Sequence, residues 1–302
     1  MSQIYREFDQ ELPKGLPLVA MLSGFTDSGG TIAQLSEHLF AKLEGETAFE
    51  FNNDELLDYR SRRPVLFFEK DHIESYEPSK LAIYLMRDEA EQPFLLLDGY
   101  EPDMKWEAFS QAIVELARRL QVSSFTWVHS IPFPIPHTRP TGVTVSGNRK
   151  DMIERFSEWK PQTQVPGNVI HLLEYRLGAA GFETAGFVLL VPHYLADNEV
   201  PKAALTGLEL ITAATGLVFP SDEIRERAAA FEVKVDTQVQ DNAELAKMIQ
   251  TLEQGYTNPE SGPARAPIGK PAADPPSADQ IADELEKYLS NLRRNSGDSA
   301  GE

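Results

Sequence analysis

Hydrophobic positions along the chain fall into two alternating patterns. Short, nearly unbroken apolar runs stand at 18–22 (LVAML), 48–51 (AFEF), 94–97 (FLLL), 124–129 (SFTWVH) and 186–191 (GFVLLV). Strands buried on both faces read this way, and Pro17 precedes the first run, a place where a strand tolerates proline. Between the runs, apolar residues recur at three- and four-residue intervals. Ile32, Leu35, Leu39 and Leu43 make one helical stripe. Trp106, Phe109, Ile113, Leu116 and Leu120 make a second, with Asp103 placed to cap its start. Ile170, Leu173 and Leu177 make a third, after Pro166-Gly167-Asn168. A fourth helix is predicted from Pro201, suited to a first helical position, to Thr215, with Gly216 as its stop. This alternation predicts an α/β fold: a mainly parallel, mixed central sheet flanked by helices on both faces.

Two regions depart from the alternation. Residues 63–70 (RPVLFFEK) and 79–86 (SKLAIYLM) read as extended runs around the polar stretch DHIESYEP, which predicts a β-hairpin inserted into the core at about 63–86. Its apolar residues need a partner surface, either its own domain or another subunit. After Pro220 the pattern turns helical. Ser221-Asp222-Glu223 starts a helix with acids at the positive dipole end, and Asp241 with Glu244 resembles a capping box ahead of Leu245, Met248, Ile249 and Leu252. The predicted organisation is an α/β core over 1–220 and a helical, lid-like subdomain over 221–256. A Pro/Gly/Ala-rich linker over 257–276 follows, then an amphipathic helix over 277–294 opened by Ser277 and Gln280, and a disordered tail over 295–302.

Charge narrows the partners. The 302 residues carry a formal net charge of −19, a field that repels nucleic acid and anionic membrane surfaces. Neither is expected to bind. Cysteine is absent, which removes disulfides, thiolate nucleophiles and Cys-ligated metal sites and suits a reducing compartment. The opening MSQIYREFDQELPKG is polar and acidic, unlike a signal peptide, and no apolar run approaches the length of a membrane span. A cytoplasmic protein is expected.

In an open α/β sheet, ligands bind beyond the carboxyl ends of the strands. The segments that follow the predicted strands therefore define the candidate site. They contribute Gly24, Asp27, Ser28 and Gly29 from the turn SGFTDSGG, Asp58 and Arg60 from DYRSRRP, and Asp98 after FLLL. His137 and Arg139 come from the proline-stiffened loop PFPIPHTRP, and His193 from the end of the last strand. The turn is not G-x-G-x-x-G, lacks the lysine of a P-loop and lacks the first glycine of G-x-S-x-G. Its amides at a helix start could hold a phosphate or carboxylate; the alternative is that Asp27 or Ser28 caps the helix while Gly29 and Gly30 serve close packing. Arginine forks suit carboxylate or phosphate, yet they also pair with surface acids. No metal-ligand spacing is present, so no metal is expected, and no cofactor is indicated. A Ser28/His193/Asp98 triad is not favoured by spacing over other triples.

GFTDSGG before a helix resembles the G-x-x-D-A-G-G turn of the PAC2 (proteasome assembly chaperone 2-like) family, with Ser28 where that turn usually has alanine. FNNDELLDYRSRRP, LLLDGYEPDMKW, VPGNVIHLLEYRLGAAGF and VPHYLADNEVPKAA are similar to its actinobacterial branch, in the same order, over roughly residues 15–255. The resemblance implies a core like those of purine nucleoside phosphorylase and peptidyl-tRNA hydrolase. It also implies a hairpin used in oligomer contacts, trimers among them, and a C-terminal helical part near the ligand site. Eukaryotic and archaeal relatives act as proteasome assembly chaperones, some through a C-terminal hydrophobic-Tyr-any motif. The end Ser299-Ala300-Gly301-Glu302 lacks that motif, so docking by that route is not expected. No catalytic residues carry over.

Two functions follow as expectations. The first is a protein-interaction or assembly-chaperone-like homo-oligomer with a protein partner and a pocket at the strand edge. The alternative is an enzyme or sensor, phosphorylase- or hydrolase-like, for a small anionic or nucleoside-like ligand.

Overall fold

The computed structural model describes residues 4–160 and 162–257. In chain order it contains β1 (Tyr5–Glu7), β2 (Leu18–Ser23), α1 (Thr31–Lys42), β3 (Gly45–Phe51), the short α2 (Asn53–Leu56), β4 (Val65–Glu69), β5 (His72–Glu77), β6 (Leu81–Arg87), β7 (Pro93–Tyr100) and α3 (Trp106–Leu120). There follow β8 (Ser124–Phe133), β9 (Gly142–Gly147), α4 (Lys150–Phe156), α5 (Val169–Ala179), β10 (Glu183–Pro192), α6 (Pro201–Thr215), α7 (Asp222–Asp241) and α8 (Ala243–Thr257). The predicted linker, last helix and tail lie outside the described residues, apart from Thr257 at the end of α8.

Eight strands form one mixed sheet in the order β1-β3-β6-β7-β2-β8-β10-β9. The four central strands, β7, β2, β8 and β10, run parallel. The flanking strands are antiparallel to their neighbours. The central strands are apolar at successive positions because both faces are covered. In β2, Leu18, Ala20 and Leu22 join one core with Phe109 and Ile113 of α3 and Leu173 and Leu177 of α5. Val19 and Met21 join the opposite core with Ile32, Leu35 and Leu39 of α1 and Leu208 and Ile211 of α6. Residues 4–160 and 166–257 belong to one compact body.

The hairpin is narrower than expected. It consists of β4 and β5, which among the described residues pair only with each other. DHIESYEP is therefore not its loop but mostly its second strand. The apolar run at 79–86 is instead β6, which pairs with β3 and β7 inside the main sheet. The expected caps also shift. α3 begins from Lys105, whose φ of 58° is left-handed and whose side chain makes no cap; Asp103 is drawn away to Arg62, 2.9 Å from its Nη2, and to the Asp58 amide. α8 is capped by Asn242, whose Oδ1 accepts from the Glu244 and Leu245 amides, rather than by Asp241.

A buried carboxylate joins the sheet to the C-terminal helices. Asp88, 2% exposed, follows β6. Its Oδ1 accepts from the amides of Ala90 at 2.9 Å and Gln92 at 2.7 Å, and its Oδ2 from the amide of Val218 at 2.8 Å. Removing it strands three donors around the β6–β7 turn and the α6–α7 connection. Asp88→Ala is therefore expected to lose about 3 kcal/mol of stability, and Asp88→Asn visibly less, as measured by urea denaturation.

Candidate functional site

The strand edge is organised by the turn between β2 and α1. Gly24 has a φ of +131°, and a Cβ there would stand 2.8 Å from Arg62 Nη2, so only glycine lets the 58–64 loop pack against the turn. Phe25 stacks on the ring of His129 of β8, centroids 5.4 Å apart. Asp27 forms an isolated bridge to Ser130 of β8. Its Oδ1 accepts from the Ile32 amide at 2.8 Å and from Ser130 Oγ at 3.1 Å; its Oδ2 accepts from the Ala33 amide at 3.1 Å. The helix-start amides that might have held an anion are thus filled by the chain's own carboxylate, and Asp27 is the cap.

Ser28 is buried in the short 3-10 turn Ser28–Gly30. Gly29 has a φ of +73°, and a Cβ would lie 3.0 Å from Val200 Cβ. Its amide donates to Ala196 O at 2.7 Å, and its carbonyl accepts from the Val200 amide at 2.8 Å. Gly29 therefore fastens the loop after β10 to the first turn.

The other candidates divide. Asp58 makes a local turn, accepting from the Arg60 amide at 2.9 Å. Arg60 is exposed; the arginine that reaches the edge is Arg62, which pairs with Asp103 and lies over the Tyr100 ring at 5.5 Å. Asp98 sits beside Ser36 of α1, and burial raises its carboxyl to about 6. His193 is exposed, its ring edge-on to Tyr194. Ser28, His193 and Asp98 make no hydrogen bonds to one another among the described residues, so no triad forms.

His137 and Arg139 are brought together under α7 and α8. His137 is 8% exposed. Its Nδ1 lies 2.7 Å from Tyr194 Oη and its Nε2 3.2 Å from Asp236 Oδ1. Arg139 donates through Nε and Nη2 to Glu253 Oε2, at 2.9 and 2.6 Å, while Thr138 Oγ1 donates to Glu253 Oε1. Lys202, which pattern reasoning did not single out, donates to the His137 carbonyl at 3.2 Å and to Glu232 Oε1 at 2.5 Å. Burial pushes the Tyr194 phenol up to about 12. Beneath lies a cavity of about 20 Å³, lined by Ile135, Val191, Leu195, Val200, Phe231 and Val235 with His137, Arg139 and Lys202 at its rim. It has room for about one water.

A second polar group lies on the α5 face of the sheet. Among the described residues, His129, 4% exposed, leaves Nε2 without a partner, and His171 of α5 does the same with Nδ1. Glu174, raised by burial, accepts from Trp127 Nε1 at 2.8 Å and Ser146 Oγ at 2.7 Å. Among the described residues, no group of three or more His, Asp or Glu is arranged to hold a metal, and no helix is long and apolar enough to cross a membrane.

Taken with the mixed sheet, this covered strand edge defines an α/β protein of the kind the turn motif implied. The PAC2 family profile matches residues 21–239, and the chain belongs to that family. It is similar to Rv2714, a Mycobacterium tuberculosis protein of unknown function, at 39% identity and a TM-score of 0.78, over 85% of this chain and 91% of that one. A Corynebacterium glutamicum protein of unknown function is 32% identical with a TM-score of 0.80, over 84% and 96%. The Mycobacterium tuberculosis proteasome-assembly chaperone homologue Rv2125, at 21% identity and a TM-score of 0.70 over 78% and 100%, shares the fold. A comparison with curated proteins finds no match.

Two predictions follow from the turn and its buried groups. Asp27→Ala removes the cap and the link to Ser130, and is expected to cost about 1–2 kcal/mol by chemical denaturation. The second concerns pH. Burial, reinforced by the nearby His171, lowers His129 from 6.5 to about 4. The unfolded chain then binds a proton that the folded chain refuses, and stability falls as pH drops from 6.5 towards 4. Asp98, raised from 3.8 to about 6, acts in the opposite sense: the folded chain binds its proton first, and stability rises as pH drops through 6 towards 3.8. Glu101, Glu158 and Glu174 lean the same way as Asp98, and His171 the same way as His129. Asp98→Asn should be more stable than the parent at pH 8. It should also lose about 1–2 kcal/mol more than the parent between pH 7.5 and 5, measured by urea denaturation at each pH.

Proposed function

We propose that this chain acts as a protein-interaction, assembly-chaperone-like homo-oligomer of the cytoplasm. The observation that supports this most directly is the β4–β5 ribbon. Val65, Leu66, Phe67, Phe68, Ile73 and Tyr76 are each 51–65% exposed, and the ribbon pairs with no other strand among the described residues. A two-stranded ribbon is marginal by itself in water, and a contiguous apolar patch of this kind marks an interaction surface. Copies of the same chain are the partners we assign to it, with a trimer the form implied by the family resemblance. The chaperone part of the reading draws on the description of Rv2125 as a proteasome-assembly chaperone homologue.

The second reading, a sensor or enzyme for a small anionic or nucleoside-like ligand, is favoured by one observation. His137, Arg139 and Lys202 converge at the strand edge of an otherwise acidic chain. All three face carboxylates of α7 and α8, so such a ligand requires those helices to move.

Analytical ultracentrifugation separates these readings. The wild-type chain is expected to sediment as an oligomer. Phe67→Asp combined with Phe68→Asp should give a monomer with unchanged circular dichroism, because the substituted side chains are exposed in the isolated chain. A monomeric wild type at micromolar concentration, together with a thermal shift on adding phosphate or nucleosides, would favour the second reading instead.

A further inference from the structure

The site under α8 has the features of a peptide groove occupied from within. One carboxylate, that of Glu253, is gripped by three donors: two from Arg139 to Oε2 and the Thr138 hydroxyl to Oε1. Three residues later on the same helix face, Tyr256 packs into a slot formed by Phe133, Ile135 and Leu190, with Trp159 beside it. The Arg139 guanidinium lies 5.5 Å over the Tyr256 ring. Glu158, its carboxyl raised by burial, also faces this slot. It therefore disfavours an acid there and leaves a neutral aromatic as the fitting group.

The occupant is loosely seated. Through Tyr256, Ile249 is the only fully buried side chain of α8; Leu245, Met248, Leu252 and Tyr256 are half-exposed. Asn242 alone separates α8 from α7. The groove is also chemically out of character. It collects Arg139, His137 and Lys202 in a chain of net charge −19, and all three face acids supplied by α7 and α8.

We propose that α8 is an intramolecular stand-in for a partner helix. The partner is an amphipathic helix carrying Asp or Glu at one position and Tyr, Phe or Trp three residues later. Arg139 and Thr138 bind the carboxylate, the Phe133–Ile135 slot binds the ring, and Glu253 and Tyr256 hold both places until that helix arrives. This inference deepens the assembly reading, on which it rests, by naming the chemistry of the partner.

The test uses the full chain and a fluorescein-labelled peptide of the α8 sequence 243–257, AELAKMIQTLEQGYT, followed by fluorescence polarisation. With Glu253→Ala and Tyr256→Ala in the full chain, the peptide is expected to bind at least tenfold more tightly than to wild type. Adding Arg139→Ala to that variant, or Lys at the Glu253 position of the peptide, should abolish the gain. Glu253→Gln alone, which preserves size and packing, should give a smaller gain of about threefold. In the wild-type chain, saturating peptide should speed hydrogen exchange of the α8 amides. A gain absent from both emptied variants, or one that survives the Lys-bearing peptide, overturns the proposal. So does unchanged exchange in the wild type. A chain that oligomerises through the ribbon but shows no preference for the peptide defeats this proposal alone. A monomeric chain that takes the peptide defeats self-assembly alone.

Discussion

The carboxylate of Asp27 is the constraint on which the strand edge depends. It lies in the turn after β2, supplies the missing partners of two of the first amides of α1, and accepts the Ser130 hydroxyl from the adjacent parallel strand. Parallel strands bring their carboxyl ends to one edge whatever the loops contain. How the loops meet there is settled locally, and the Asp27 turn does so twice: through Ser130 to β8, and through Gly29 to the loop after β10. The same carboxylate also answers the chemical possibility the turn raised. A helix start with free amides attracts an anion, but here the anion is a side chain already in place.

Positive charge for any ligand must then come from elsewhere, and it comes from Arg139 and Lys202, with the His137 imidazole beside them. They are carried by a proline-rich loop and the start of α6, both held by buried apolar residues such as Ile135 and Ala203. A rigid support for a few cations inside an acidic chain favours well-matched anions, since the surrounding field penalises weakly matched ones. The ribbon β4–β5 is a different kind of surface, with exposed apolar side chains on both strands and local contacts of Lys70 with Glu69 and His72 with Asp71 at its turn. On the proposed reading the two surfaces serve different tasks, self-association at one and recognition of a charged segment at the other.

The elements legible in the sequence are those whose environment is symmetrical. β2, β7, β8 and β10 are buried on both faces, and α1, α3, α5 and α6 each bury one stripe, so their periodicity reports their position directly. β6 has the same local signal as a hairpin strand. That LAIYLM pairs with β3 and β7 is decided by strands distant in sequence, and nothing in the six residues shows it. β5 failed for the reverse reason: HIESYE is exposed at every position, so no burial selects apolar residues. Of the caps misread, that at α8 falls one residue later, on Asn242, while Asp103 is a case of competition. A carboxylate near several amides and an arginine takes the charged partner, as Asp103 does with Arg62. At the site, Asp27, Ser28, Gly29, His137 and Arg139 were visible as strand-end residues. Their partners were not. Asp236 and Glu253 lie 99 and 114 positions beyond His137 and Arg139, a separation over which no spacing rule operates.

The ion pairs that cover the edge do not by themselves hold α7 and α8 in place. Partly exposed pairs contribute about 0–1 kcal/mol each, and those of Arg139 and Lys202 are of this kind. Burial of a single large apolar side chain contributes about 1.5–3 kcal/mol. α7 places Ile224 and Val235 in buried clusters, with Phe231 and Val239 packed around the latter, which is enough to anchor it. α8 has Ile249 and part of Tyr256. The two helices are therefore held unequally: α7 by several buried apolar side chains, and α8 by Ile249 with one ring and one carboxylate. Charge then sets the register of α8 more than its stability. That is the arrangement in which a competing helix with the same two groups meets the least resistance.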